Sequence, residues 1–227
     1  MNEPVERIRG GLVVSCQARP DNPLHGPVYM VAMAVAAERA GAVGIRANGP
    51  VDIDAIRARV NLPIIGIYKK KVNGVEVITP DFESAREVVE AGADIVAISC
   101  ARYQRPDDEA LGQLILRIQV DLKTPVMADI GTVEEGLTAA RLGAELVATT
   151  LQGYTPDTVR TEGPDLELVS RLVAAQSCPV VAEGRYSTPE HVREALDRGA
   201  YAVVVGTAIT NPMAITAGFV AATRRQA

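Results

Sequence analysis

Apolar residues in this chain gather into short runs separated by polar segments with a helical period, and three stretches repeat one grammar. "PIIGIYKK…TPDFESAREVVEAGADIVAIS", "PVMADIGTVEEGLTAARLGAELVATT" and "PVVAEGRYSTPEHVREALDRGAYAVVVGT" each open with Pro and an apolar strand. A polar turn, a Thr and an acidic helix start follow, and Gly-Ala then leads into another apolar strand. Thr132 and Thr188 stand where helix N-caps stand, with Pro189 at a first helical position that needs no N–H. Gly92, Gly143 and Gly199 fall just past a last helical turn, where a left-handed residue ends a helix.

Extending this grammar predicts strands near 11–17, 43–47, 63–69, 94–100, 125–130, 146–151, 179–184 and 202–207, each followed by a helix. Continuous apolar strands alternating with helices suit a parallel sheet covered by helices, either closed as a barrel or open and doubly wound. Eight units favour the barrel. The expected fold is a single (β/α)8 TIM barrel over residues 1–227, with a short N-terminal helix, and no linker or shift in composition divides the chain.

Composition narrows the chemistry. Two Phe and no Trp among 227 residues leave the core to Val, Ile, Leu and Ala. A net charge of −5 offers no general attraction for nucleic acid or an anionic membrane, so an anionic ligand needs a local site. The acidic N-terminus lacks the pattern of a signal peptide and no apolar run reaches spanning length, which predicts a cytoplasmic protein without membrane contact. Cys16, Cys100 and Cys178 are scattered and read as reduced thiols. His25 and His191 have no metal-ligand spacing to an acid or thiol, and no G-x-G-x-x-G run opens a helix, so neither a metal nor a cofactor is expected.

In a TIM barrel the reacting groups sit where strands run out at the C-terminal rim. Gln17, Arg46, Lys69, Asp129, Thr149, Gln152 and Glu183 all end predicted strands. Each has an ordinary alternative: Lys69 a solvated loop, Asp129 a cap for the following helix, Arg46 a rim salt bridge. Glu183 stands out because an apolar run precedes it, and a buried carboxylate is costly without a partner. Gly184 and Gly206, ending the last two strands, let backbone approach an anion, with Arg185 and Thr207 as donors.

The runs "GGLVVSCQARPDNPLHGPVYMVAMAVAAERAGAVGIRANGP", "LPIIGIYKKKVNGVEVITP", "PVMADIGTVEEG" and "VVAEGRYSTPEHV" resemble the N-acetylmannosamine-6-phosphate 2-epimerase family over almost the whole chain. The resemblance implies a phosphate-binding barrel that interconverts the 6-phosphates of N-acetylmannosamine and N-acetylglucosamine, in amino-sugar (sialic acid) catabolism, as a homodimer. It matches the family's catalytic Lys to Lys69 and Glu to Glu183, and its substrate-contacting Gln, Arg and Asp to Gln17, Arg46 and Asp129. Two segments depart. Ser99, Cys100, Ala101 and Tyr103 replace the Asp, Ala, Thr and first Arg of the family's Asp-Ala-Thr-x-Arg-x-Arg-Pro. Asn211 replaces an Arg near the expected phosphate.

Epimerisation beside a masked aldehyde requires ring opening, loss of the C2 proton and its return to the other face of a planar intermediate, all without redox chemistry. Lys69 is expected to take that proton, Glu183 to handle protons at the C1 or ring oxygen, Asp129 to orient Lys69, and Arg46 with Gln17 to hold the sugar's hydroxyl and acetamido groups. A related phosphosugar isomerase, a Schiff-base aldolase using Lys69 and a non-catalytic phosphosugar-binding barrel remain open alternatives.

Overall fold

The computed structural model describes residues 2–105, 107–175 and 177–223. In chain order the elements are α1 (Glu3–Arg7), β1 (Leu12–Cys16), α2 (Pro27–Arg39), β2 (Gly44–Asn48), α3 (Pro50–Arg57), β3 (Ile64–Ile67), β4 (Lys69–Val72), β5 (Val75–Ile78), α4 (Phe82–Glu90) and β6 (Ile95–Ser99). They continue with α5 (Asp108–Asp121), β7 (Val126–Asp129), α6 (Val133–Arg141), β8 (Leu146–Ala148), α7 (Leu166–Ala175), β9 (Val180–Glu183), α8 (Pro189–Asp197), β10 (Ala202–Val205), α9 (Thr207–Thr210) and α10 (Pro212–Thr223). Eight parallel strands close in the order β1-β10-β9-β8-β7-β6-β3-β2, with β1 pairing both β2 and β10. The expected (β/α)8 barrel forms, and α1 supplies the short N-terminal helix.

Period-two alternation divides the core in two. Val13, Ile65, Ile67, Ile95, Ala97, Met127, Leu146, Ala148, Val181 and Val204 form the cluster inside the barrel, joined by Val5 and Ile8 from the α1 end. Their strand neighbours, among them Val14, Ile64, Val96, Ala128, Val180 and Val203, pack outward under the helices with Ile53, Val88 and Ile115. The same parity carries past the apolar layers to the rim. Ser15, Ser99, Asp129 and Glu183 each lie two residues beyond an interior residue, and therefore share its face.

Helix punctuation follows the sequence. Thr132 accepts from the Glu135 N–H while the Glu135 carboxylate accepts from Thr132, and Thr188 accepts from the His191 N–H. Gly92, Gly143 and Gly199 are left-handed, with φ of 105°, 103° and 93°. In the first repeat, however, the cap of α4 is Asp81. Thr79 instead donates to the Ala97 carbonyl at 2.7 Å and accepts from the Tyr68 N–H at 3.0 Å.

Three strand ends differ most from the sequence reading; the strand expected over 202–207 stops at Val205, and Thr207 begins α9. The strand expected over 63–69 stops at Ile67, and Lys69 begins the antiparallel β4–β5 hairpin, which turns at Asn73 and Gly74 with φ of 50° and 83°. The strand expected over 146–151 stops at Ala148 and tightens into a 3-10 turn, Thr149–Leu151. That turn ends the period-two alternation, with consequences for the site.

Replacing Thr132 by Ala removes one half of the α6 capping box and is expected to lower stability by about 1 kcal/mol. Urea unfolding of the variant beside the unsubstituted protein measures it.

Candidate active site

One buried cation organises the rim. Arg46, brought up by β2, donates through Nη1 to Asp129 Oδ1 at 3.0 Å and through Nη2 to Asp129 Oδ2 at 2.6 Å, a fork on the carboxylate that ends β7. The same Nη1 donates to Glu183 Oε2, at the end of β9, at 2.7 Å. Side-chain exposure is 1% for Arg46, 0% for Asp129 and 13% for Glu183, so Glu183 is the end of the cluster that opens to solvent. Among the described residues no protein group bonds its other oxygen, Oε1.

The surroundings set the protonation states. Burial alone would lower the Arg46 pKa, but Asp129 and Glu183 carry it upward, so the guanidinium stays charged. Burial dominates at Glu183 and Asp129 adds to it; against Arg46, the Thr150 hydrogen bond and Lys69, they push its carboxyl up to about 7. Lys69 is half-buried, and its backbone N–H donates to Asn48 Oδ1 at 2.9 Å. Desolvation lowers its pKa, with Arg46 and Arg19 acting the same way and Glu76 and Glu183 opposing. A lysine pushed down and a glutamate pushed up are both moved toward neutrality, the condition for exchanging protons with a substrate.

The remaining candidates are placed unevenly. Gln17 is half-buried and donates to Ser15 Oγ at 2.9 Å, while Ser15 O accepts from Thr210 at 2.8 Å. Asp129 gives both oxygens to Arg46 and one also to Thr150, rather than orienting Lys69 as expected from the sequence. Gly184 is left-handed at φ 106°, and a Cβ there would stand 3.4 Å from the Thr149 carbonyl. A Cβ on Gly206 would stand 3.3 Å from that of Ser15, and Thr207 begins α9, where first-turn N–H groups lack intrahelical acceptors. The Arg185 guanidinium is turned into the loop after β8. It donates to Gln152 O and Oε1, to Gly163 O at 3.0 Å and to Thr161 Oγ1 at 3.1 Å.

Thr150 escaped the sequence reading. Its hydroxyl lies 2.5 Å from Asp129 Oδ1 and 3.1 Å from Glu183 Oε2. The neighbouring Thr149 hydroxyl donates to the Glu183 carbonyl at 2.8 Å and accepts its N–H at 3.0 Å, pinning the backbone of the same residue. Only the 3-10 turn aims two successive threonines at β9 and the carboxylates; in an extended strand they would face opposite ways.

The segment after β6 that departs from the resembling family forms a latch. Ser99 Oγ donates to Gln104 Oε1, Gln104 Nε2 donates to the Glu76 carbonyl of the hairpin at 3.1 Å, and Arg105 donates to Thr79 O at 2.9 Å and Pro80 O at 3.0 Å. Cys100 is buried and Ala101 is fully enclosed, whereas Tyr103 is 39% exposed. Asn211 Oδ1 accepts from the Ala214 N–H at 3.2 Å and from Asn22 Nδ2 at 3.3 Å, joining the start of α10 to the loop after β1. Cavities lined by Arg9, Cys178, Pro179 and Tyr201, and by Pro50, Asp54, Glu87 and Glu90, include none of the clustered rim residues.

A family model described as "Putative N-acetylmannosamine-6-phosphate epimerase" matches residues 30–225. Relatives given that name as a 2-epimerase include one from Caldanaerobacter subterraneus subsp. tengcongensis, 50% identical over 95% of this chain and 92% of its own. Another, from Cutibacterium acnes, is 48% identical over 95% of this chain and 94% of its own. The solved N-acetylmannosamine-6-phosphate 2-epimerase of Clostridium perfringens superposes with a TM-score of 0.92 at 40% identity, covering 97% of this chain and 96% of that one. A thiamine phosphate pyrophosphorylase from Pyrococcus furiosus, at 18% identity and a TM-score of 0.60 over 94% of this chain and 92% of its own, shares the fold alone.

With its pKa raised from 4.5 to about 7, folded Glu183 holds a proton that the unfolded chain has released. Through that window the folded state binds more protons, so this residue's contribution to stability falls as pH rises. Urea unfolding between about pH 5 and pH 8 is expected to show this decline, and a flatter profile in Glu183→Gln.

Proposed function

The chain belongs to the N-acetylmannosamine-6-phosphate 2-epimerase family, and we propose that it interconverts N-acetylmannosamine 6-phosphate and N-acetylglucosamine 6-phosphate by removing and returning the C2 proton. The observation that carries this reading is Glu183, anchored by a buried arginine with one oxygen left open, at the same barrel rim as Lys69, whose basicity burial lowers. Epimerisation needs two such proton-handling groups.

Lys69, in its neutral form, is the base that takes the C2 proton. Glu183 gives a proton to the ring oxygen or C1 oxygen as the ring opens and recovers it on closure. A carboxyl with a pKa near 7 serves both directions of a reversible reaction, because its acid and its base are both populated at working pH. Arg46 and Asp129 act on the sugar through Glu183, holding it in place and setting its proton affinity. Gln17, beside β1, is placed to bind a hydroxyl or the acetamido group.

The phosphate sits against the backbone of Gly184, Arg185, Gly206 and Thr207. Its contact at Arg185 is the main chain, since the guanidinium is engaged by the preceding loop. The rebuilt segment 99–105 and Asn211 support a second reading, a related phosphosugar in place of this one. A panel of sugar phosphates separates the two by kcat/KM.

The active form is a homodimer working in the cytoplasm on amino-sugar catabolism. Among the described residues no helix is long and apolar enough to cross a membrane. The apolar helix α10 buries none of its residues against the barrel and leaves Met213, Phe219 and Val220 exposed at 54%, 74% and 46%, which favours a second copy as its cover.

Lys69→Met and Glu183→Gln are each expected to lower kcat/KM by roughly a hundredfold or more in a coupled assay for the gluco product. Near-normal turnover in either variant removes that residue's role. Light scattering is expected to give the mass of two chains for the unsubstituted protein and of one chain for Phe219→Glu.

A further inference from the structure

The proposed reaction asks Glu183 to be stable both with and without its proton, and the hydroxyl of Thr150 is the group built to meet that demand. It sits between Asp129 Oδ1 at 2.5 Å and Glu183 Oε2 at 3.1 Å, and a hydroxyl has one proton to give. With both carboxylates ionised, one of those contacts lacks a hydrogen. With Glu183 protonated on Oε1, the oxygen that faces the sugar, Thr150 donates to Asp129 Oδ1 while Arg46 Nη1 holds Oε2. When Glu183 has released its proton, the hydroxyl turns about its C–O bond and donates to Oε2, while Asp129 keeps both hydrogen bonds from Arg46.

We propose that Thr150 is a positioning residue for the epimerisation, its rotating hydroxyl turning from Asp129 to Glu183 Oε2 as the carboxyl ionises and leaving Oε1 free for the sugar. The assignment rests on the 2-epimerase reading, but its geometry does not. Thr150 itself makes and breaks no bond to carbon; the proton Glu183 passes to the sugar leaves from Oε1 and returns to it, and the Thr150 hydroxyl keeps its own.

The charged groups that bear on Glu183 are Arg46 from β2, Asp129 from β7 and Lys69 from β4. Thr150 adds a neutral donor to that set, from the turn after β8. Loss of the hydroxyl removes the donor to the ionised form, and hydrogen bonds to charge are the stronger kind, so the acid form gains in relative terms.

The test uses Thr150→Val, which keeps shape and loses the hydroxyl, and Thr150→Ser, which keeps the hydroxyl. Infrared titration of the unliganded protein reads the Glu183 carboxyl directly, identified by its absence in Glu183→Gln. In Thr150→Val the midpoint is expected to move up and kcat to fall about ten- to a hundredfold, with KM within about twofold. Thr150→Ser is expected to restore both. An unshifted midpoint with unchanged kcat in folded Thr150→Val, or a Thr150→Ser as impaired as Thr150→Val, overturns the proposal. Should the midpoint shift and recover as expected in a protein that does not turn over N-acetylmannosamine 6-phosphate, the hydroxyl's role stands and the 2-epimerase reading falls.

Discussion

The ion cluster of Arg46, Asp129 and Glu183 is the constraint on which the site depends. Two carboxylates and one guanidinium lie at the top of a barrel whose lower layers are Val, Ile, Leu, Ala and Met. The desolvation cost of such a cluster is repaid only by good geometry, and the forked Arg46–Asp129 pair supplies it. One positive charge facing two negative ones leaves an excess that buried surroundings resist, and the excess is relieved at the most exposed member. Glu183 therefore retains a proton, and the surplus charge that makes the cluster expensive is also what makes it chemically useful.

The barrel delivers these groups by parity. Met127 and Val181 fill the interior, so Asp129 and Glu183, two residues on, face the same axis. Ile65 and Ile67 extend the same alternation to Lys69, although the barrel strand has already ended and a hairpin begun. The hairpin makes Lys69 part of a paired segment in which Gln104 bonds the Glu76 carbonyl of β5 and Asn48 accepts the Lys69 N–H. A lysine so placed loses solvent without entering the apolar core.

The barrel was legible because its punctuation is chemically explicit: Thr132 and Thr188 cap, Pro189 starts a helix, and Gly92, Gly143 and Gly199 end helices in a conformation other residues resist. The hairpin left a signal that was passed over, Asn73-Gly74 between "KKKV" and "VEVI", the dipeptide that suits a tight turn with positive φ at both positions. Residue types at strand ends pointed to Arg46, Asp129 and Glu183. The partners they choose belong to tertiary structure, and so Asp129 joined Arg46 instead of Lys69. Thr150 could not be found from alternation, because a 3-10 turn cancels the period on which alternation rests. Nor could the sequence tell that Arg185, at φ 59°, would spend its guanidinium on the loop after β8.

Removal of the C2 proton by Lys69, with Glu183 held beside Arg46 as the second proton-handling group, is the step on which the proposed function turns. Proton NMR of the purified protein with N-acetylmannosamine 6-phosphate in deuterated water follows the sugar's identity and its C2 hydrogen together. The gluco epimer is expected to carry deuterium at C2. An epimer that keeps all its protium at C2, or a folded protein that yields neither epimer nor exchange, contradicts that step.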